Sequence, residues 1–481
     1  SQLIGFLGGA RGVAFTDAEH THPYPPIDYV LRDRVAHDGH RHRNDPRVGM
    51  VGGSYGGEIQ FAAADQDPRL DAIVPMITWN DLSYSLTPNN TDFVHGVTSV
   101  TPGVPKFEWA SLFFALGIAD GLQGFTSDPS RDRGCPNFNN QVCKSYATSA
   151  ALGYPTADTT HLLRHASAAS YMNRIRIPTL LIQGEDDTLF DLQEAAATFR
   201  ALRAQHTPVK MIWQSWGHSS LSPQPGEFAS DQTVFQTYEG RRIEAWFDRY
   251  LKGERVDTGP TFAYYRSWIP YDGHGADDEQ YGWASRYPLG SSSTWFLSGS
   301  NGLVSARARV QPGTAYYTSA PAGPPTSYSE TSFVQSYLSG EPPPTDVPGT
   351  YVAYTTAPLS APVTVLGAPR ATLHLSAPSV TVTQLLGPTG MLQLYAKIYD
   401  IAPDGSVDLV HRLVSPVRVG DVTKPVDVEL PGIVHRFAAG HRIEFVIAAS
   451  DSAYKNSYWP QPVGILTGPS DPSTLTLPVV G

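Results

Sequence analysis

A run of small residues, Gly52-Gly-Ser-Tyr-Gly-Gly57, separates the apolar stretch Val48 to Val51 from a segment, Glu58 to Ala64, with helical character. Few local patterns restrict a fold as much. A strand that turns within two or three residues into a helix strains the residue at its apex. The flanking backbones come close, so small residues are needed on either side. The apex side chain is then exposed beside the helix N-terminus. Gly52, Ser54 and Gly56 fit the pattern G-x-S-x-G. In that context it predicts a nucleophile elbow, and with it a parallel sheet covered by helices.

The surrounding chain fits such a sheet. Arg47 to Gly52, Leu70 to Ile77, Thr179 to Gln183 and Val209 to Trp213 are short apolar runs bounded by Gly or Pro, as buried parallel strands are. Helices are expected at Glu58 to Ala64, Leu192 to Arg203 and Val234 to Leu251, the last stopping before Gly253. This is an α/β pattern. It breaks between Asn80 and about Ser170, where one helix, Trp109 to Leu116, is expected in a loop-rich insertion. Insertions of this size between sheet strands commonly cap a site. Beyond about residue 257 the period falls to two, in Ala371 to Ala377, Leu392 to Tyr399 and Arg442 to Ile447. Turn signals such as Pro403-Asp-Gly405 and Pro431-Gly432 lie between. That predicts a β-sandwich or jelly roll. The expected domains are therefore an α/β-hydrolase domain at 1–80 and 171–257, a cap at 81–170 and a β-sandwich at 258–481.

A serine becomes a nucleophile only with a histidine base and a carboxylate that orients the base. After an elbow of this kind the chain order is Ser, acid, His, with acid and base at the C-terminal ends of later strands. Gly184-Glu-Asp-Asp187 follows one expected strand, and Gln214-Ser-Trp-Gly-His218 belongs to the end of another. Asp187 and His218 are the candidates, with Asp186, Glu185 and Asp191 competing for the acid. Each has a plainer reading: a serine that closes a turn, a histidine that fills a loop. His37, His40 and His42, with His20 and His22 upstream, read as a solvated loop, because no familiar metal-ligand spacing is completed. No cofactor or metal is expected.

The chain has 34 basic and 45 acidic residues, a net charge of −11, which argues against a nucleic-acid partner. No apolar run is long enough to span a membrane. The two cysteines, Cys135 and Cys143, lie eight apart around Pro and Asn. They are expected to pair in a disulfide, and the protein to be secreted or attached to the cell envelope. Two unrelated thiols are the alternative.

Asp45-Pro-Arg-Val-Gly-Met-Val-Gly-Gly-Ser-Tyr-Gly-Gly57, Gln183-Gly-Glu-Asp-Asp-Thr-Leu-Phe190 and Trp216-Gly-His-Ser219 together resemble the cocaine esterase / X-Pro dipeptidyl-peptidase family of serine hydrolases, and most of all its actinobacterial exported members. The resemblance implies an α/β-hydrolase domain, a helical cap and a C-terminal jelly roll. It implies Ser54 as nucleophile, Asp187 as orienting acid, His218 as base and the Tyr55 N–H as an oxyanion donor. The expected substrate is a small ester or an X-Pro peptide, cleaved through an acyl-enzyme. A lectin-like binding protein with an inactive α/β part is the rival reading. In the family a tyrosine hydroxyl well upstream of the serine supplies the second oxyanion donor. Here Leu3 to Gly12 looks like the family's fourth strand, so the first three strands are expected to be missing or cleaved. A further N-terminal segment of the same precursor is then an expected partner. Tyr24 is a poor substitute donor. Trp79, Phe107, Trp109, Phe113 and Phe114 are candidates for a pocket lining or for ordinary cap core. Asp81, Asp92, Glu108 and Asp120 are candidate anchors for a substrate amine.

Overall fold

The computed structural model describes residues 47–91, 101–124, 126–129, 134–220, 223–227, 236–273, 278–319, 346–457 and 459–480. The expected strand at Leu3–Gly12, Tyr24, the five upstream histidines and Asp92 lie outside them. Two compact units are present, one holding 47–80 and 167–287, the other 81–166 and 288–480.

Among the described residues the first unit is built on a six-stranded sheet in chain order: β1 (Val48–Gly53), β2 (Leu70–Met76), β3 (Thr179–Asp186), β4 (Val209–Trp216), β5 (Phe262–Tyr265) and β6 (Tyr281–Ala284). β1 to β5 run parallel and β6 is antiparallel to β5. Leu180, Leu181 and Ile182 are consecutive and all buried. That requires both faces of β3 to be covered, which is why the strands read as unbroken apolar runs. The helices associated with this sheet are α1 (Tyr55–Gln66), α2 (Leu192–Ala204) and α3 (Tyr238–Phe247). α3 contributes Tyr238, Ile243 and Trp246 to a core with Ala72, Val74, Leu180, Ile182 and Ile212. α3 is capped by the Thr237 hydroxyl, which accepts the Gly240 N–H at 3.1 Å. Val234 and Phe235 of the expected helix lie outside the described residues; from Phe247 the chain continues in a wider helical turn over Asp248–Lys252, which stops at Gly253, as expected.

The α/β sheet continues past residue 257. β5 and β6 extend the same sheet, with Ala263 in register with Ile212, and Phe262 packs edge-on against Trp213 at 4.8 Å. The α/β unit accordingly runs to Tyr287.

Among the described residues of the second unit thirteen strands join in one hydrogen-bonded network, consistent with a β-sandwich. Along Leu392–Ile401 the side chains alternate. Leu392, Leu394, Ala396 and Ile398 enter the main core, whereas Tyr395 and Tyr399 enter a second cluster on the other face. Val104, from the segment expected to be the cap, lies in that second cluster. Around it Asn90 gives its N–H to Pro416 O and receives that of Glu429, both at 2.9 Å. Asn89 takes the Arg418 N–H at 2.9 Å and gives its own amide to Arg418 O at 3.1 Å. The insertion is thus packed into the β-domain, with 167–170 belonging to the α/β unit instead.

The insertion is also more helical than expected. Beside Phe107–Gly124 there are helices at Asn140–Leu152 and Ala157–His165, capped by Asn139 and Thr156. Cys135 and Cys143 are joined, with Cα atoms 6.1 Å apart, and tie the Asn140–Leu152 helix to the preceding turn. Phe114 stacks on Tyr146 and Phe138, Phe107 on Tyr146, and Trp109 on Phe113. These four candidates take part in aromatic stacking within the insertion, Trp109 buried and the others half-buried. Asp81 caps Leu82–Leu86 through the Ser83 N–H at 2.9 Å and faces Arg164 at 3.6 Å.

Candidate active site

Ser54 stands between β1 and α1 with φ 57° and ψ −122°, a left-handed conformation that costs a serine about 1–3 kcal/mol. The surroundings enforce it. Its N–H is held by Met76 O at 2.9 Å, and its carbonyl receives the Gly57 N–H at 2.8 Å and the Thr78 hydroxyl at 2.9 Å. A Cβ on Gly52 would lie 2.9 Å from Gly56 O, and one on Gly57 would lie 2.7 Å from Thr78 Cβ and 2.9 Å from Met76 O. At Gly56 an added Cβ meets nothing within 4 Å. The close approach therefore falls on Gly52 and Gly57, not on the Gly56 of the pattern. Gln60, buried one turn further on, donates to Gly56 O at 2.7 Å and accepts the Val74 N–H at 3.0 Å, pinning α1 to β2.

A serine in the N-cap position ordinarily turns its hydroxyl back onto the helix amides. Ser54 makes no such bond; its Oγ lies 3.0 Å from His218 Nε2. On the other side of the ring, His218 Nδ1 lies 2.8 Å from Asp187 Oδ2. Asp187 is wholly buried, and its Oδ1 accepts the backbone N–H groups of Leu189 and Phe190 at 3.1 and 2.8 Å. Both carboxylate oxygens are thereby assigned, one to the backbone and one to the imidazole. Two of the competing acids have other tasks. Asp191 caps α2 through the Gln193 N–H at 3.0 Å. Glu185 accepts the Tyr265 N–H at 3.1 Å, and burial pushes its carboxyl well above the usual range.

The acid and base loops are fastened to each other as well as to the sheet. Ser219 accepts the Thr188 N–H at 2.9 Å and gives its own N–H to Asp186 O at 3.2 Å. A side chain on Gly217 would put its Cβ 2.5 Å from Asp187 Cβ, so only glycine lets the loops approach this closely. An aromatic wall adjoins the pair. Phe190 meets His218 edge-on at 5.1 Å, Trp79 lies 5.0 Å from Phe190, and Tyr55 lies edge-on to Trp79 at 5.3 Å. Of the expected lining residues, Trp79 is here. Phe190 and Tyr55 sit within the motifs themselves, but nothing in sequence assigns their rings a place. Tyr55 opens α1, so its N–H belongs to the first turn, whose amides have no intrahelical acceptor.

An elbow serine, an imidazole and a buried carboxylate in line, at the C-terminal ends of parallel strands, define a serine hydrolase of the α/β-hydrolase class. Two family models match the chain: the X-Pro dipeptidyl-peptidase (S15 family) model over residues 27–220, and that of the X-Pro dipeptidyl-peptidase C-terminal non-catalytic domain over 254–464. The chain belongs to this family of serine hydrolases, as its motifs imply. No curated protein sequence matches it. Among solved structures it is similar to an aminopeptidase from the marine sediment archaeon Thaumarchaeota archaeon, with a TM-score of 0.62 at 16% identity over 92% of this chain and 78% of that one. It is similar to an alpha-amino acid ester hydrolase, with a TM-score of 0.58 at 17% identity over 90% and 77%. A CocE/NonD family hydrolase from Staphylococcus aureus gives a TM-score of 0.60 at 16% identity over 100% and 86%. At these identities the likeness speaks to the fold.

Proposed function

We propose that the protein hydrolyses small carboxylic esters through an acyl-enzyme, with Ser54 as nucleophile, His218 as general base and Asp187 as the residue that orients it. The observation that carries this reading is the unbroken line from Ser54 Oγ through both ring nitrogens of His218 to Asp187, at 3.0 and 2.8 Å. His218 Nε2 takes the hydroxyl proton as Oγ bonds to the carbonyl carbon. The developing oxyanion is met by the Tyr55 N–H. Collapse of the tetrahedral species breaks the C–O bond to the leaving group, whose oxygen takes the proton back from His218 Nε2 and departs as the alcohol. Water, deprotonated by the same nitrogen, then releases the acid and restores Ser54. The wall of Phe190, Trp79 and Tyr55 suits an apolar or aromatic acyl group.

The family models favour a second reading, cleavage of X-Pro peptides, whose free amino group needs a carboxylate to hold it. The Cys135–Cys143 bridge supports an exported enzyme. Side-by-side turnover of p-nitrophenyl esters and X-Pro-p-nitroanilides decides between the two readings. Failure to turn over either, with no labelling by a fluorophosphonate, would favour the binding-protein alternative.

A further inference from the structure

The loop that carries His218 leaves β4 and closes on one buried carboxylate. Glu227 Oε1 accepts the Ser215 N–H at 2.9 Å; Oε2 accepts the Ser215 hydroxyl and, at 3.0 Å, the Gln224 N–H. The chain on both sides of His218 is therefore tied to the same group, which is completely buried. That group is itself braced from two other elements. The Tyr281 hydroxyl, on β6, lies 3.0 Å from Glu227 Oε1 and 2.7 Å from Glu239 Oε1, on α3. Tyr281 is stacked on Tyr238 at 4.0 Å and meets Tyr265 edge-on at 5.5 Å, so its ring is fixed.

A phenol has one proton to donate, and here two carboxyl groups face it. Burial pushes the Glu227 carboxyl up, against the donors from Ser215, Gln224 and Tyr281, which hold it down. The charge of Glu227 acts in turn on the carboxyl of Glu185, from β3, which is also buried.

We propose that Glu227 is a positioning residue for the hydrolysis. Braced by Tyr281, it fixes the 215–227 loop so that the His218 imidazole stays in line between Ser54 and Asp187. No role for Glu227, Tyr281 or Glu239 follows from the triad itself. The proposal rests on His218 being the base.

The test compares Glu227→Ala, Glu227→Gln and Tyr281→Phe with the unsubstituted full chain. Fluorophosphonate titration counts reactive sites, and p-nitrophenyl butyrate turnover is expressed per titrated site. Glu227→Ala is expected to lower kcat per site about 10- to 100-fold, the cost of misplacing a reacting group by a fraction of an ångström to an ångström, with little change in KM. Glu227→Gln, which keeps an acceptor for the Ser215 N–H, and Tyr281→Phe are expected to lose less. Wild-type kcat per titrated site in the variants, with only fewer sites, would overturn the proposal and leave Glu227 a folding residue. If Glu227→Ala does not fold, the other two decide on the same criterion. Absence of labelling in the unsubstituted protein would instead overturn the assignment of Ser54 and His218.

Discussion

Replacing Asp187 by Asn exchanges one oxygen for an NH2 group and should nearly stop the reaction. Oδ1 of Asp187 receives two backbone N–H groups, from Leu189 and Phe190, at 3.1 and 2.8 Å. An asparagine must keep its carbonyl oxygen there. Rotating the amide would face its NH2 to both donors and leave two buried N–H groups unmet, at about 1–3 kcal/mol each. Even the lower sum, about 2 kcal/mol, holds the amide in one orientation by about 30 to 1. In that orientation the NH2 points at His218 Nδ1, which must become the acceptor, so the ring proton moves to Nε2. The nitrogen facing Ser54 then has no lone pair with which to take the hydroxyl proton. The expected loss in kcat is about 10,000-fold, or about 5 kcal/mol. The assay is ester turnover at neutral pH with thermal unfolding as the control for folding, and Asp186→Asn as a neighbour that should retain most activity. A folded Asp187→Asn enzyme keeping more than about one per cent of kcat would refute the reasoning that the carboxylate sets the tautomer.

Ser54→Ala and Ser54→Gly should both abolish fluorophosphonate labelling. Because φ is 57° there, the glycine variant should be the more stable by about 1 kcal/mol in denaturant titrations, and equal stability would remove the strain. Reducing Cys135–Cys143 should release about 2–3 kcal/mol of constraint from a nine-residue span, seen as faster proteolysis of the cap; intact mass showing two free thiols in unreduced protein would contradict the bridge. Glu58 is buried against the Tyr171 hydroxyl, and burial pushes its carboxyl well above the ordinary 4.5. An acid with a raised folded pKa is bound to its proton in the fold but not in the unfolded chain. Its stabilising influence is complete below about pH 4.5 and declines as pH rises, by up to about 1.4 kcal/mol per unit, until the folded group ionises. Glu58→Gln should therefore gain on the wild type in Tm from pH 5 to pH 8, and a difference independent of pH would rule this out.

The parts of the fold that are local in sequence are visible in it. β1 to β4 are apolar runs closed by Gly or Pro, and the elbow declares itself by its glycines. Asp187 could be preferred among its acidic neighbours, but not separated from them by spacing alone. The separation comes from backbone amides at Leu189 and Phe190 and from the cap role of Asp191. β5 and β6 are four residues each and Tyr-rich, Phe-Ala-Tyr-Tyr and Tyr-Gly-Trp-Ala, so they look like the β-domain that follows. The helix at 140–152 is mostly Ser, Ala and polar residues, with little contrast between its faces. Least legible is where the insertion packs. The pairing of Asn89 with Arg418 spans 329 residues and has no local signature.

That pairing has company. Arg418 is buried and reaches Pro102 O at 3.1 Å, Gly153 O at 2.6 Å and Pro388 O at 2.6 Å, with its guanidinium over the ring of Tyr154. One side chain from the C-terminal half thus holds the insertion at Pro102 and at Gly153, the residue that ends its Asn140–Leu152 helix. For anyone recombining members of this family, the exchangeable part is not the insertion by itself. A chimera that imports residues 81–166 from a relative must import the sandwich bearing the matching arginine. Conversely, a truncation after Tyr287 would strip the insertion of its foundation while leaving every triad residue in the remaining polypeptide.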